Sequence, residues 1–466
     1  MSLVNLQQSL ALVPLLAAPL AATAAPAPTV RPNVIFVLAD DMGYGDLSCY
    51  GGPSVNTTNI DRLAAEGIRF TQFCVNSPIC SPSRTALTTG QFPARWKITS
   101  YIDNRALNEQ RGMAQWLDPK APSLARFLQH NGYATGHFGK WHMGGGRDVG
   151  EAPLPTEYGF DVSLTQFEGL GDRVLPLMSM PQEGEAHKLP LGVASEKLGR
   201  GNVRWVKRSD VTKAFVDGAL DFMQRATAQN KPFYINLWPD DVHSPFDPPP
   251  ERRGDGSKHA LYNGVVQTMD EQLGPLFDAV RNNAKLRDNT LIIFASDNGP
   301  EPGAGSSGPF GGAKGTLYEG GIREPFIVWG PGFVPAARHG SVNTSSLFSG
   351  VDFAPSVLAL TGTPIPADIK FDGEDLSRTL LGQATATRTH PLFWKRPPDR
   401  PGPHNAPFPG FAVRAGNWKL LLNDDGTTPR LYNLYNDPGE TDNLAAAQPE
   451  LVVRLKKLIL DWNATL

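Results

Sequence analysis

The chain has 466 residues, 40% hydrophobic and 19% charged, the balance of an ordinary globular protein long enough to bury a large core. A formal net charge of -3 leaves no broad basic surface, which argues against nucleic acid as a partner. The 42 prolines and 47 glycines point to long, shaped loops over a compact scaffold.

Met1 to Val30 carries no charged side chain. An apolar run from Leu10 to Leu20 precedes the small-residue site Ala22-Thr23-Ala24, so residues 1–24 read as a signal peptide. The run is too short and too often broken by proline to span a membrane. It has no Lys or Arg ahead of it, which leaves the start amine to supply the charge. The expected location is periplasmic or secreted. Three cysteines, Cys49, Cys74 and Cys80, make an odd count for an exported chain, and a pairing of Cys49 with Cys74 is left open.

Asn33 to Ala39 is a continuous apolar run, the mark of a strand buried on both faces, and Asp40-Asp41 ends it. Helices are predicted over Asn59–Glu66 and Ser123–His130, each stopped by a glycine, with a strand over Tyr133–Phe138. An amphipathic helix over Ser209–Ala228, behind a serine cap, feeds a strand over Pro232–Trp238. A long helix around Tyr262–Asn282 leads to the plain buried strand Thr290–Ala295. A short strand, Pro325–Trp329, and a helix, Asp352–Leu360, follow. Helices alternating with buried strands predict an α/β domain with a mainly parallel or mixed central sheet. The tail differs: a hairpin over Phe411–Leu422, a strand near Leu431–Leu434 and a closing helix over Pro449–Trp462. The expected division is a catalytic domain over residues 30–380 and a small C-terminal α+β subdomain with an antiparallel sheet over 381–466.

The chemistry-bearing residues follow the strands. Asp40-Asp41 and Asp297-Asn298 each come directly after a buried strand, and in open α/β sheets ligands sit at the carboxyl ends of strands. Either pair alone is more often a solvated turn or a helix cap. Together they make a metal site the better reading, and four hard oxygen donors favour Ca²⁺ or Mg²⁺ over zinc. Lys140 and His142 follow the strand that ends near Phe138. His243 lies just beyond Trp238, and Lys314 sits in the glycine-rich loop Gly311–Gly315. Two lysines, two histidines and an arginine around a cation suit a sulfuryl or phosphoryl group. In Cys80-Ser81-Pro82-Ser83-Arg84, the cysteine stands at the mouth of a short helix, with Pro82 suited to the first helical position. The helix dipole is expected to lower the thiol pKa, and Arg84 needs an anionic partner if buried.

Cys-x-Pro-Ser-Arg running into Thr-Gly resembles the signature of the type I sulfatases, and the other site positions match that family from Asn33 to the tail. Asp-Asp-Met-Gly-Tyr-Gly-Asp-Leu is similar to the carbohydrate and aryl sulfatases near arylsulfatase A and N-acetylgalactosamine-6-sulfatase. The resemblance implies an alkaline-phosphatase-like fold and a Cys80 oxidised to formylglycine by a maturation enzyme. It also implies one Ca²⁺ held by Asp40, Asp41, Asp297, Asn298 and an oxygen of residue 80. By the same resemblance, Arg84 steadies the hydrated aldehyde, and Lys140, His243 and Lys314 hold the sulfate and its leaving oxygen. His142 takes the proton that lets sulfate leave. The implied substrate is a sulfated carbohydrate or an aryl sulfate. Rival readings are a phosphonate or phosphate ester hydrolase and an inactive carbohydrate-binding relative. Recognition of the sugar is expected from Thr99–Arg111, through Asn104 and Arg105, and from Arg396–Phe411, through His404.

Overall fold

The computed structural model describes residues 31–52, 55–180, 186–397, 399 and 408–466. The leader over residues 1–24 and His404 lie outside the described residues.

A 12-stranded sheet crosses the molecule. In chain order its strands are β1 (Asn33–Ala39), β2 (Ile68–Cys74), β3 (Ala134–Gly139), β4 (Val162–Thr165), β5 (Arg173–Met178) and β6 (His187–Lys188). They continue with β7 (Val203–Lys207), β8 (Phe233–Trp238), β9 (Thr290–Ser296), β10 (Arg323–Trp329), β11 (Ser341–Asn343) and β12 (Phe348–Ser349). The spatial order is β11-β2-β10-β9-β1-β8-β3-β4-β5-β6, with β12 beside β2 and β7 beside β5.

Strand direction decides where the chemistry collects. Strands β9, β1, β8, β3 and β4 run parallel. Strand β10 runs antiparallel to both β9 and β2, so β2 points the same way as β9. The carboxyl ends of β1, β2, β3, β8 and β9 therefore share one rim, and β10 starts there. Strands β1 and β9 pair flush, Asn33 opposite Thr290 through Ala39 opposite Ser296. Asp40 and Asp297 consequently leave the sheet side by side.

The alternation of side chains along β1 divides the core. Val34, Phe36 and Leu38 join a cluster with the helices Cys80–Thr89, Leu124–His130 and Gly350–Leu360. Ile35, Val37 and Ala39 join another with Thr58–Glu66, Val211–Ala228 and Lys258–Arg281. Each fully buried aliphatic or aromatic side chain contributes roughly 1.5–3 kcal/mol.

A second, antiparallel sheet runs in order β13 (Leu392–Lys395), β14 (Phe411–Ala415), β15 (Trp418–Leu422) and β16 (Arg430–Asn433). It contains the expected hairpin, and helix Pro449–Asn463 packs Leu455 and Ile459 onto Val413, Leu420 and Leu431. This sheet is tied to the approach of β10 by a buried ion cluster: Lys419 Nζ donates to Glu319 at 2.9 Å and lies 2.9 Å from Glu440.

Some local expectations fail for physical reasons. Pro82 is the third residue of its helix, because the helix already begins at Cys80; the first-turn N–H groups have no intrahelical partner, so proline is tolerated there. The helix expected from Ser209 begins at Val211 without a side-chain cap, and Arg208–Asp210 form a 3₁₀ turn that leaves Arg208 buried. All three cysteines are free, so Cys49 and Cys74 do not pair; the buried Cys74 sulfur lies 3.4 Å from an Arg414 N–H. Among the described residues, no helix is long and apolar enough to cross a membrane.

Candidate active site

Cys80 is the first residue of its helix and is buried. Its Sγ and carboxylate oxygens of Asp40 and Asp297 lie within 4.8 Å of one another. The expected fall in thiol pKa is not observed. Burial pushes the Cys80 thiol up to about 12; Lys140 and Lys314 oppose the shift, while Asp40 and Asp297 reinforce it. A thiol in this setting is a poor nucleophile.

Arg84, fully buried one turn along, explains why the motif needs an arginine. Its Nε and one terminal nitrogen donate to Asp297 Oδ2 at 2.9 and 2.7 Å, and the latter nitrogen lies 3.5 Å from Asp40 Oδ1. Its other terminal nitrogen donates to the Lys140 carbonyl at 3.0 Å. Burial and Asp40 push the Asp297 carboxyl up to about 7, with Arg84 opposing them.

The remaining predicted residues meet at the same point. Lys140 Nζ donates to Asp40 Oδ2 at 2.7 Å, and Lys314 Nζ contacts Asp41 Oδ2. Asn298 Nδ2 donates to Asp41 Oδ1 at 2.8 Å, and His243 Nε2 lies 3.6 Å from Asp41 Oδ2. Burial raises the Asp40 carboxyl pKa, but Lys140, His243, Arg84 and Lys314 together outweigh it and hold the group well below the usual carboxylate range. The backbone is shaped for these contacts. Asp41 and His142 adopt left-handed conformations (φ 60° and 53°), a costly choice for residues other than glycine. At Gly139 a Cβ would meet the Trp238 carbonyl oxygen at 1.9 Å, so glycine is required where Lys140 N–H reaches that carbonyl at 2.7 Å.

Asp40 Oδ1 and Asn298 Oδ1 are buried without a hydrogen-bond partner. Two orphaned acceptors among carboxylates are what a hard cation would satisfy, so this donor set fits Ca²⁺ or Mg²⁺.

Two residues of the site, Glu168 and Arg208, carry no signal in the sequence. Glu168, buried beyond β4, lies 3.3 Å from Lys140 Nζ and 3.1 Å from His142 Nδ1 and accepts from Arg147 at 3.3 Å. Burial opposes its ionisation, but His142, Lys140 and Arg147 hold its pKa low. Arg208 lies 2.6 Å from Asp241 and donates to the Asp240 and His243 carbonyls at 3.2 and 3.1 Å, bracing the loop that carries His243. A single glutamate after a four-residue strand and an arginine beside a helix start leave no distinctive pattern in sequence. His142 itself lies with Nε2 3.0 Å from the Ile102 carbonyl, and burial lowers its pKa to about 3 although Glu168 favours the cation.

The loop Thr99–Arg111 packs beside the site. Asn104 caps its own helix, accepting from Leu107 N–H at 2.9 Å, and Arg105 pairs with exposed Glu151. Ile102 and Asp103 are the residues of this loop that reach the site, through His142 and Arg147.

Residues 32–363 match the Sulfatase family, and residues 310–464 match the family described as N-sulphoglucosamine sulphohydrolase, C-terminal. The chain belongs to the sulfatase family. It is 33% identical to human arylsulfatase A, covering 92% of this chain and 87% of that protein. It is 32% identical to N-acetylgalactosamine-6-sulfatase of Sus scrofa, covering 96% and 88%. The solved structure of a Pseudoalteromonas sp. sulfatase superimposes with a TM-score of 0.70 at 27% identity, covering 93% of this chain and 90% of that one. The fold is the alkaline-phosphatase-like fold of these sulfatases, and the chain is a sulfuric ester hydrolase.

Proposed function

We propose that this sulfatase is an exported enzyme that removes sulfate from a sulfated carbohydrate, with Cys80 matured to formylglycine and one Ca²⁺ bound beside it. The observation that carries this reading is the cluster of Asp40 and Asp297 at Cys80, to which Arg84, Lys140, Asp41, Asn298, His243 and Lys314 are joined through contacts among these residues, with His142 linked to Lys140 by Glu168. The sugar substrate is supported by relatives whose names include N-acetylgalactosamine-6-sulfatase.

Asp40, Asp41, Asp297 and Asn298 would hold the cation, which supplies Lewis-acid charge for the nucleophile and the sulfuryl oxygens. Formylglycine in its hydrated form supplies two hydroxyls on one carbon, one to attack sulfur and one whose deprotonation expels sulfate. The surrounding residues do the positioning. Arg84 fixes Asp297 and faces residue 80 with positive charge. Lys140, Lys314 and His243 converge as cationic or hydrogen-bonding groups where a sulfate monoester would sit. His142 would take the proton that lets sulfate leave; its Nε2–H is directed to the Ile102 carbonyl and its Nδ1 lies 3.1 Å from Glu168. Protonation at Nδ1 would place the new N–H against Glu168, which stabilises the cation formed.

The test pairs chemistry with mass. Peptide mass analysis of the exported protein should show Cys80 converted to the aldehyde, and sulfate release from 4-nitrophenyl sulfate and a panel of sulfated sugars should track the converted fraction. Full activity from protein whose Cys80 is entirely a thiol would refute the mechanism.

A further inference from the structure

Lys314 sits in a segment that touches two parts of the molecule. Its ammonium contacts Asp41 Oδ2 on the catalytic rim. Two backbone bonds hold the middle of the segment to the same domain: Lys314 N–H donates to the Pro300 carbonyl at 3.1 Å and Gly315 N–H to the Pro78 carbonyl at 2.8 Å. The segment then closes on itself, with Gly320 N–H donating to the Gly311 carbonyl at 2.7 Å. Packing alone does not fix it, because every residue from Gly311 to Thr316 borders a cavity of 590 Å³.

The C-terminal subdomain meets this closure at both of its ends. The Gly439 carbonyl oxygen stands so near Gly311 that a Cβ there would lie 2.7 Å from it. The next residue, Glu440, adopts a left-handed conformation (φ 56°), costly for a residue other than glycine, and its buried carboxylate accepts from Glu319 N–H. Lys419, fully buried on β15, lies 2.9 Å from both Glu319 Oε1 and Glu440 Oε1. Arg414 and Arg323 stand 3.5 and 3.4 Å from Glu319 Oε2. Buried charges and buried N–H groups are expensive to leave unpaired, so these contacts hold Glu319 in one place. Lys314 lies between the two anchored positions, Gly311 and Glu319.

We propose that Glu440 is a positioning residue for the reaction: through Glu319 and the closure at Gly311 it fixes the segment that presents Lys314 to Asp41 and to the sulfuryl group. This rests on the sulfatase reading given above, in which Lys314 holds the sulfate. It gives the C-terminal subdomain a part in catalysis that acts through Lys314 alone.

The experiment measures hydrolysis of 4-nitrophenyl sulfate by matured, metal-loaded enzyme, with each variant made in the parent and in Lys314→Met. Substitutions that act through one group are not additive, so Glu440→Ala should lower kcat/KM at least about 10-fold in the parent and less than about twofold in Lys314→Met. The inhibition constant of inorganic sulfate should rise at least about fivefold in the parent, since the displaced ammonium grips the anion less well. Glu440→Gln keeps an acceptor for Glu319 N–H and should stay within about threefold of the parent. Gly311→Ala pushes on the Gly439 carbonyl from the other end and leaves the ion cluster intact, and it should repeat the pattern of Glu440→Ala. It also decides the matter if Glu440→Ala fails to fold. Equal losses in the two backgrounds would reduce Glu440 to a structural role and overturn the proposal, as would a Glu440→Ala enzyme of undiminished activity. A Lys314→Met enzyme as active as the parent would overturn the role given to that lysine and this proposal with it. A parent that releases sulfate from no ester would overturn the sulfatase reading itself.

Discussion

Replacing Lys314 by methionine isolates charge from shape at the centre of the site. Lys314 is buried, its ammonium contacts Asp41 Oδ2, and the next carboxylate, Glu301, is 3.9 Å away. Burial alone would lower its pKa, but Asp41, Cys80 and Asp40 hold the ammonium in its charged form. The cluster sets Asp40, Asp41, Asp297 and Glu168 against Arg84, Lys140, Lys314 and Arg147. Lys314→Met leaves Asp41 with Asn298 Nδ2 at 2.8 Å and His243 at 3.6 Å, neither a full replacement. Removing one partner of a buried pair costs about 3–5 kcal/mol, so the metal-free variant should lose stability near the lower end of that range.

Two further effects follow with opposite signs. A cation beside Asp41 no longer competes with an ammonium, so Ca²⁺ affinity should rise. A sulfate monoester loses one charge-assisted hydrogen bond, worth about 1.5–3 kcal/mol, so kcat/KM should fall roughly 10- to 150-fold. Denaturant unfolding with and without Ca²⁺, calcium titration calorimetry and steady-state kinetics read the three quantities separately. A kcat/KM within about threefold of the parent, or a weakened affinity for Ca²⁺, would refute the charge argument.

Exhaustive chelation should abolish activity, with Ca²⁺ restoring it and Zn²⁺ failing to. Asp297→Ala should remove the stabilisation that Ca²⁺ gives the parent, about 4 kcal/mol at a thousandfold excess over Kd, as read by thermal unfolding. Glu168→Gln removes the counter-ion beside His142 Nδ1, so kcat should fall about 10- to 100-fold while the inhibition constant of inorganic sulfate changes little. Arg105→Ala disrupts only an ion pair whose side chains are 39% and 54% exposed, so stability should change by less than about 1 kcal/mol and kcat/KM on a sulfated sugar should be unaffected.

Strands that are buried on both faces announced themselves in the sequence. Val34 to Leu38 and Leu291 to Ala295 are unbroken apolar runs, and the acidic residues that end them were readable as a site for that reason. Strand β2 carries no such run although it delivers the nucleophile motif. Its sequence Ile-Arg-Phe-Thr-Gln-Phe-Cys alternates because one side is half-buried, and Arg69, Thr71 and Gln72 dilute the apolar signal. Strands β4 to β7 leave little signal because they are two to six residues long, and β5 contains Pro176. With them went Glu168, which comes to lie beside Lys140 and His142 only once those short strands pair. Arg105 shows what sequence leaves open: an arginine in a loop after the nucleophile helix gives no sign that Glu151, 46 positions away, is its ion-pair partner.

The placement of Cys80 depends on one antiparallel strand. If β10 ran parallel to β9, the reversed direction it imposes would be lost, and a β2 antiparallel to β10 would deliver its carboxyl end, and Cys80 with it, to the opposite edge from Asp40 and Asp297. Because β10 runs antiparallel to both neighbours, the loop from Asn298 to Ile322 returns over the same rim and carries Lys314 to Asp41. The same reversal thus brings nucleophile and cation to one place. The balance of carboxylates and cations there lets the cluster be buried without a metal, and a bound divalent ion would then leave the site with surplus positive charge. A bound ion would therefore add to the positive field of Lys140, Lys314 and Arg84, and an anionic ester should be drawn to the loaded site more strongly than to the metal-free one.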